Sequence, residues 1–220
     1  MRPMLAAAFM FSLAAGYPCL AETETAVGLI RVVTGKVSLD GLALGNEAVG
    51  ILTLDPGQTL RVEQGLLELE LLPGAYLRAA EDTEIRLLSK NPEQITVELL
   101  GGQAILTGSK KLLSNITVQY AGSSARFSQT GYYRWDAVAG PEARLTVVKG
   151  KALLETPSGG HQLKAKQAIA LTSPAAVEKV RQINKDELME WSRQRQDDYV
   201  LSRRRQKGFA DLAIPGTIRQ

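Results

Sequence analysis

Chemistry needs particular side chains at workable spacing, and this chain offers few of them. His161 is the only histidine in 220 residues and follows Gly159-Gly160, a hairpin-loop setting in which a lone imidazole is a bystander. Cys19 is the only cysteine. Zinc, copper and iron sites of the usual ligand set need several such groups, so no metal or other cofactor is expected. A Ser–His–acid arrangement would have to use His161, and no Gly-x-Ser-x-Gly turn supplies its serine. No glycine-rich loop leads from a strand into a helix to cradle phosphate. Carboxylates are plentiful, with Glu81-Asp82 and Asp197-Asp198 as the obvious pairs. Neighbours on a strand point to opposite faces and neighbours on a helix diverge by about 100°, so neither pair is well placed to share a substrate. A carbohydrate hydrolase is the least favoured reading, and a non-enzyme is expected.

Binding chemistry is better represented. Tyr132-Tyr133-Arg134-Trp135 is the densest aromatic patch. In a strand Tyr133 and Trp135 share one face, either as core or as a stacking platform for a sugar or peptide. Arg203-Arg204-Arg205 with Lys207 is the one concentrated basic cluster, suited to a protein partner or to an anionic lipid or glycan surface. As a solvated helix end, the same cations would sit favourably at the negative pole of the helix dipole. Trp191 and Arg195 complete the set of candidate partner contacts. The formal net charge is +3, so no whole-protein field argues for nucleic acid. Asn115-Ile116-Thr117 is a glycosylation sequon, meaningful only in a host that uses it.

The elements that must carry these residues are mostly strands. Leu66–Leu72 reads LLELELL, with Leu67, Leu69 and Leu71 on one face and Glu68 and Glu70 on the other. Similar alternation, with turn signals every 8–12 residues or so, runs from Val27 to Leu171. The class is all-β, about a dozen short strands, arranged as a sandwich or a β-roll. A ten-residue formula recurs as IRVVTGKVSL (30–39), VELLGGQAIL (97–106) and LTVVKGKALL (145–154). Each copy reads as a β-hairpin closed by an x-Gly pair whose glycine takes φ > 0. The copies are unevenly spaced, against a regular solenoid or propeller. Past Ser173-Pro174 the pattern changes. Asn184 with Glu187 three residues on predicts a capped helix running to about Gln206. Leu188, Trp191 and Tyr199, with the stem of Arg195, form one narrow stripe for docking by an edge.

The first 21 residues, one arginine and then an apolar run ending in Cys19-Leu20-Ala21, read as a secretory signal peptide cut after Ala21. Tyr17-Pro18 stand where a lipoprotein signal wants small residues, so Cys19 is not expected to be acylated. The mature chain would then hold no cysteine and no transmembrane segment. The expected division is 1–21 signal peptide, 22–173 β domain, and 174–220 helix and tail.

The ordered series over residues 27–172 is similar to the FecR domain of bacterial envelope proteins. It begins with Arg31-Val32-Val33-Thr34-Gly35-Lys36-Val37 and Pro56-Gly57-Gln58-Thr59-Leu60. It continues through Leu67–Leu71, Pro73-Gly74-Ala75-Tyr76-Leu77-Arg78, Thr83-Glu84-Ile85 and Leu100-Gly101-Gly102-Gln103-Ala104. It closes with Ile116–Tyr120, Ala125–Gln129, Gly131–Trp135, Val147–Ala152 and Gln162–Gln167. Leu72-Pro73-Gly74-Ala75 stands where the family has Asp-Gly-Ser, and Lys166 where it has glycine. The resemblance implies a stand-alone, periplasmic or secreted, non-catalytic regulatory module with an envelope protein as partner. The transmembrane helix and cytoplasmic segment of the family's signal relays are not expected here. A structural envelope component docking through its basic helix is the alternative.

Overall fold

The computed structural model describes residues 26–138, 142–171, 176–183 and 185–212, with the side chains of Arg203, Arg204 and 206–212 left aside. The signal peptide, Asn184 and the C-terminal tail lie outside the described residues. The expected class holds: fourteen strands among the described residues form one continuous hydrogen-bonded sheet, followed by a C-terminal helix.

Three long strands give the sheet its shape. Strand β1 (Leu29–Leu39) turns at Asp40-Gly41 into the short β2 (Leu42–Leu44) and pairs along its length with β3 (Thr59–Leu72). The second half of β3 pairs with β4 (Ala75–Ala79) and its first half with β5 (Thr83–Asn91). Strand β6 (Gln94–Gly108) splits its partners in the same way. Its start pairs with β5, and its end with β4 and β9 (Gly131–Ala137). A short helix α1 (Lys110–Leu113) then leads to β7 (Ile116–Tyr120), which lies parallel to the start of β6. Beyond it come β8 (Ser123–Phe127), β11 (Lys151–Thr156) and β12 (Gly159–Lys164). On the other side β9 leads to β10 (Arg144–Lys149), β13 (Gln167–Ala170) and β14 (Val177–Lys179). The sheet therefore runs on past Leu171.

The sheet folds on itself, and its two halves share one core. Phe127 of β8 packs edge-on to Trp135 of β9 at 5.7 Å between ring centroids, and against Tyr133 at 4.5 Å. Around them lie Leu67, Leu69, Leu77, Leu106, Val118, Leu145 and Leu154, all buried. Tyr133 and Trp135 belong to this core, at 0% and 1% exposure, so neither offers a ring to a partner. The Tyr133 hydroxyl is occupied as well, donating to the backbone carbonyls of Gln129 and Lys151.

The thrice-repeated formula is not a hairpin. Its first copy lies within the single strand β1 and its second within β6. In the third, β10 and β11 flank Gly150 without pairing to each other, since β10 joins β9 and β13 while β11 joins β8 and β12. In every copy the strand passes from one half of the folded sheet to the other at the formula's glycine. Gly35, Gly102 and Gly150 have φ of +74°, +90° and +102°. An L side chain is strained there, and a strand that bends sharply between two packed sheets is where glycine belongs. The x-Gly chemistry and the positive φ are as expected; the sequence cannot tell a reversal from a corner, because both need the same backbone.

Gly102 is also the tightest of these sites, since a Cβ there would run into Cα and Oγ1 of Thr83 and the carbonyl of Asp82. Gly57 has a similar φ of +89° but open space where a Cβ would stand. Gly57→Ala should cost about 1 kcal/mol from the left-handed conformation alone. Gly102→Ala should cost about 3 kcal/mol or more, because backbone must move as well. Urea unfolding of the two variants tests the corner, and equal losses would contradict it.

Candidate functional site

The outer face of the folded sheet, opposite the core, is built by alternation. Across β3, β4, β6, β9 and β10 the registered neighbours Glu68, Arg78, Ile105, Arg134 and Thr146 form one row. Glu70, Tyr76, Thr107, Tyr132 and Lys149 form the next. Such a face ordinarily meets water. Here helix α2 (Glu187–Leu212) lies over it, and Glu68, Arg78 and Arg134 are buried at 0%, 0% and 2% exposure.

The helix is started and tethered by one residue. Asp186 accepts the Met189 amide at 3.0 Å, the N-cap bond that satisfies a first-turn N–H. The same carboxylate receives both terminal nitrogens of Arg134, at 2.8 and 2.5 Å. Arg134 also donates to Asp136 from Nε and Nη2, at 2.9 and 2.7 Å to Oδ1. The observed cap is thus Asp186; Asn184, the expected one, lies outside the described residues. Burial would lower the guanidinium of Arg134, but its bonds to the two aspartates hold it above the ordinary arginine value. The bond from Arg134 holds the Asp186 carboxyl below its usual range.

Two turns on, the helix closes a second cluster. Glu68 accepts Nε of Arg78 at 2.6 Å, Nη2 of Arg195 at 2.7 Å and the hydroxyl of Tyr199 at 2.7 Å. Arg78 Nη1 donates to Thr107 and to Ser192 of the helix, each at 3.1 Å. Tyr199 lies flat on Tyr76, with centroids 4.3 Å apart and 7° between planes. Burial would push the Glu68 carboxyl up, but the bond from Arg195, the charge of Arg78 and the Tyr199 hydroxyl bring it below the ordinary value. The interface also has an apolar part: Leu188, Met189 and Ile105 are buried there, with Leu66, Ala80, Tyr132, Val148, Ile183 and Trp191 half-buried against them.

Comparison with known proteins adds little. No family model matches the chain, and no curated protein matches it significantly. Among solved structures it is similar to two crystal structures, at 2.50 and 1.65 Å, of a protein assigned as an anti-sigma factor in Parabacteroides distasonis ATCC 8503. Identity is 16% and 15%, with TM-scores of 0.48 and 0.47. Each match covers 56% of this chain, which spans 59% of the other.

Of the residues expected to contact a partner, the structure brings Trp191 and Arg195 to this interface. Arg205 is exposed on α2, and the side chains of Arg203 and Arg204 lie outside the described ones. Glu81, Asp82, Asp197 and Asp198 are exposed. His161 sits in strand β12, not in a loop. Among the described residues no group of acids and histidines is gathered for a metal, and no helix is long and apolar enough to cross a membrane. Glu68, Arg78, Arg134, Asp136, Asp186 and Ser192 were not anticipated. The one available signal was that two strands place ionisable residues of opposite sign, Glu68 and Arg78, on the outer face of a chain that also carries a stripe-bearing helix.

Glu68→Gln leaves two arginines with half a partner, and removing one member of a buried pair costs about 3–5 kcal/mol. Acid tests the same bonds. A carboxyl depressed in the folded state adds stability above its unfolded value of about 4, and that stability is lost as pH falls through the lower folded value. The urea midpoint of the native chain should therefore hold from neutrality to about pH 4.5 and fall steeply below about 4. In Asp186→Asn the fall should be shallower, and parallel curves would exclude Asp186 as a contributor.

Proposed function

We propose that this chain is a non-enzymatic, FecR-like binding and regulatory module of the bacterial cell envelope, exported to the periplasm or beyond and acting through protein–protein contacts. The observation that carries the reading is how α2 is attached. The helix is held by two ionic clusters and a stacked tyrosine pair, together with one apolar patch around Ile105, Leu188 and Met189. An element attached largely through polar groups exchanges water for hydrogen bonds at modest net gain, so it can leave and return more readily than one seated on an apolar face alone. That suits a regulatory segment whose position a partner reads. The ordered resemblance over 27–172 and the signal-like first 21 residues support the same setting.

One feature favours the alternative of a structural component docked by its helix. Among the described side chains Tyr199 is the last of α2 bonded to the sheet, and the helix continues to Leu212, with Arg203-Arg204-Arg205 beyond that point.

Crosslinking of the full chain in its native envelope, followed by mass spectrometry, separates these readings. The regulatory reading expects one saturable partner, a transporter or a sigma-regulating membrane protein, captured in altered amount by the undocked variant Asp186→Ala/Arg195→Ala. No such partner, or capture indifferent to that variant, would sink it. Sedimentation with anionic vesicles that is lost on changing Arg203–Arg205 to glutamine would favour the alternative.

A further inference from the structure

A cavity of about 270 Å³ opens beside the Glu68 cluster, between α2, the start of α1 and the outer face of β6 and β9. Its floor is part of the second cross-strand row, Thr107, Tyr132 and Lys149. Ser109 and Thr130 line one side, and Gln196 of α2 closes it. No carboxylate lines this cavity; its polar groups are hydroxyls, an amide and an ammonium. A larger cavity, about 650 Å³ at the β1–β2 turn, differs in this respect, since Lys36 and Arg61 there face Glu63 and Glu84.

Arg78 places a buried cation behind Thr107, although it does not itself line the smaller cavity. Its guanidinium is fully buried and reaches Thr107, which lines the space, and Ser192, one turn before Gln196. Its Nη2 has no hydrogen-bond partner, and neither has Oε1 of Gln196. A buried guanidinium N–H without an acceptor is costly, far more so than an exposed one. Local charge points the same way. Around Glu68 two guanidiniums, of Arg78 and Arg195, meet one carboxylate. The compensating excess of carboxylate lies on the far side of Ile105, around Arg134. The amide of Gln196, turned by half a rotation, would present a donor where Oε1 now stands.

We propose that this cavity binds a small oxyanion, of carboxylate or phosphate type, with Lys149 and the Thr107, Ser109, Thr130 and Tyr132 hydroxyls as its donors and Arg78 as a buried countercharge behind Thr107. Because Gln196 lies on α2 and the rest on the sheet and α1, the anion bridges the helix to its seat and makes helix docking depend on a solute. That regulatory consequence rests on the functional reading above, whereas the binding itself does not.

The test uses the full mature chain with inorganic phosphate and succinate as probes, read by calorimetry and by the fluorescence of Trp191 on α2. One or both should bind saturably, raise the melting temperature with concentration, and slow hydrogen exchange of α2 amides. Gln196→Glu puts a like charge at the site and should weaken binding about tenfold or more, with Lys149→Ala weakening it less. Phosphate stabilises many proteins without a site, so equal stabilisation of the native chain and Gln196→Glu overturns the proposal. Absence of saturable binding by either probe overturns it too. Unchanged circular dichroism and melting of the anion-free variants show that they fold. Binding without any captured envelope partner would leave the site standing and remove the regulatory reading.

Discussion

Glu68 is a carboxylate with no exposure to water, and the position of everything outside the core follows from how it is neutralised. Two guanidiniums and a phenol share its oxygens, and those partners come from β4 and from two successive turns of α2. Desolvating three charged groups is expensive, and a well-packed apolar replacement of such a cluster is often no less stable. What the ionic version adds is geometry. The Arg195 fork and the Tyr199 hydroxyl converge on oxygens already held by Arg78, so the helix has one register along the sheet. Asp186 fixes the start of the helix through Arg134, and a helix pinned at two points cannot slide.

That face exists only because the sheet bends. Gly35 of β1 lies directly opposite Gly65 of β3, and both take positive φ; a Cβ on either would strike the other strand's backbone. Gly102 turns β6 beside them. Together these corners let single strands serve two layers, so Leu67 and Leu69 can enter the core while Glu68 between them reaches the helix. The repeated formula is thus a repeated mechanical part. Its apolar residues fill the shared core on either side of the glycine, which explains why the copies agree in composition while their spacing along the chain varies.

Alternation and turn chemistry made the strand class legible from the sequence, along with the core face of β3 and the sharing of one face by Tyr133 and Trp135. Period-2 patterning also separated the two faces of β9 correctly. It could not say that the polar face of β9 is covered, because Arg134 in a buried ion pair and Arg134 in water leave the same pattern. The helix was legible for its tilt toward one edge, with Leu188, Arg195 and Tyr199 on the docking stripe. Ser192, the residue midway along that stripe, carries no hydrophobic signal at all. Asp186 was not singled out because a capping box is a local motif, whereas the bond that holds Asp186 joins residues 52 positions apart.

The same chemistry bears on what happens when the helix leaves. Undocking would return Glu68, Arg78, Arg134 and Asp186 to water, where charged groups are well solvated, and would uncover one apolar patch of Ile105, Leu188 and Met189 with the half-buried side chains around them. A helix seated on leucines would leave behind a sticky face and invite aggregation. A helix seated partly on ions leaves a more wettable one, patterned with fixed donors and acceptors that another polar element can read. The interface is therefore strong where geometry is specified and weak where release would be damaging. That combination is what an exchangeable contact requires, and it arises from one buried carboxylate with more cationic partners than it can neutralise.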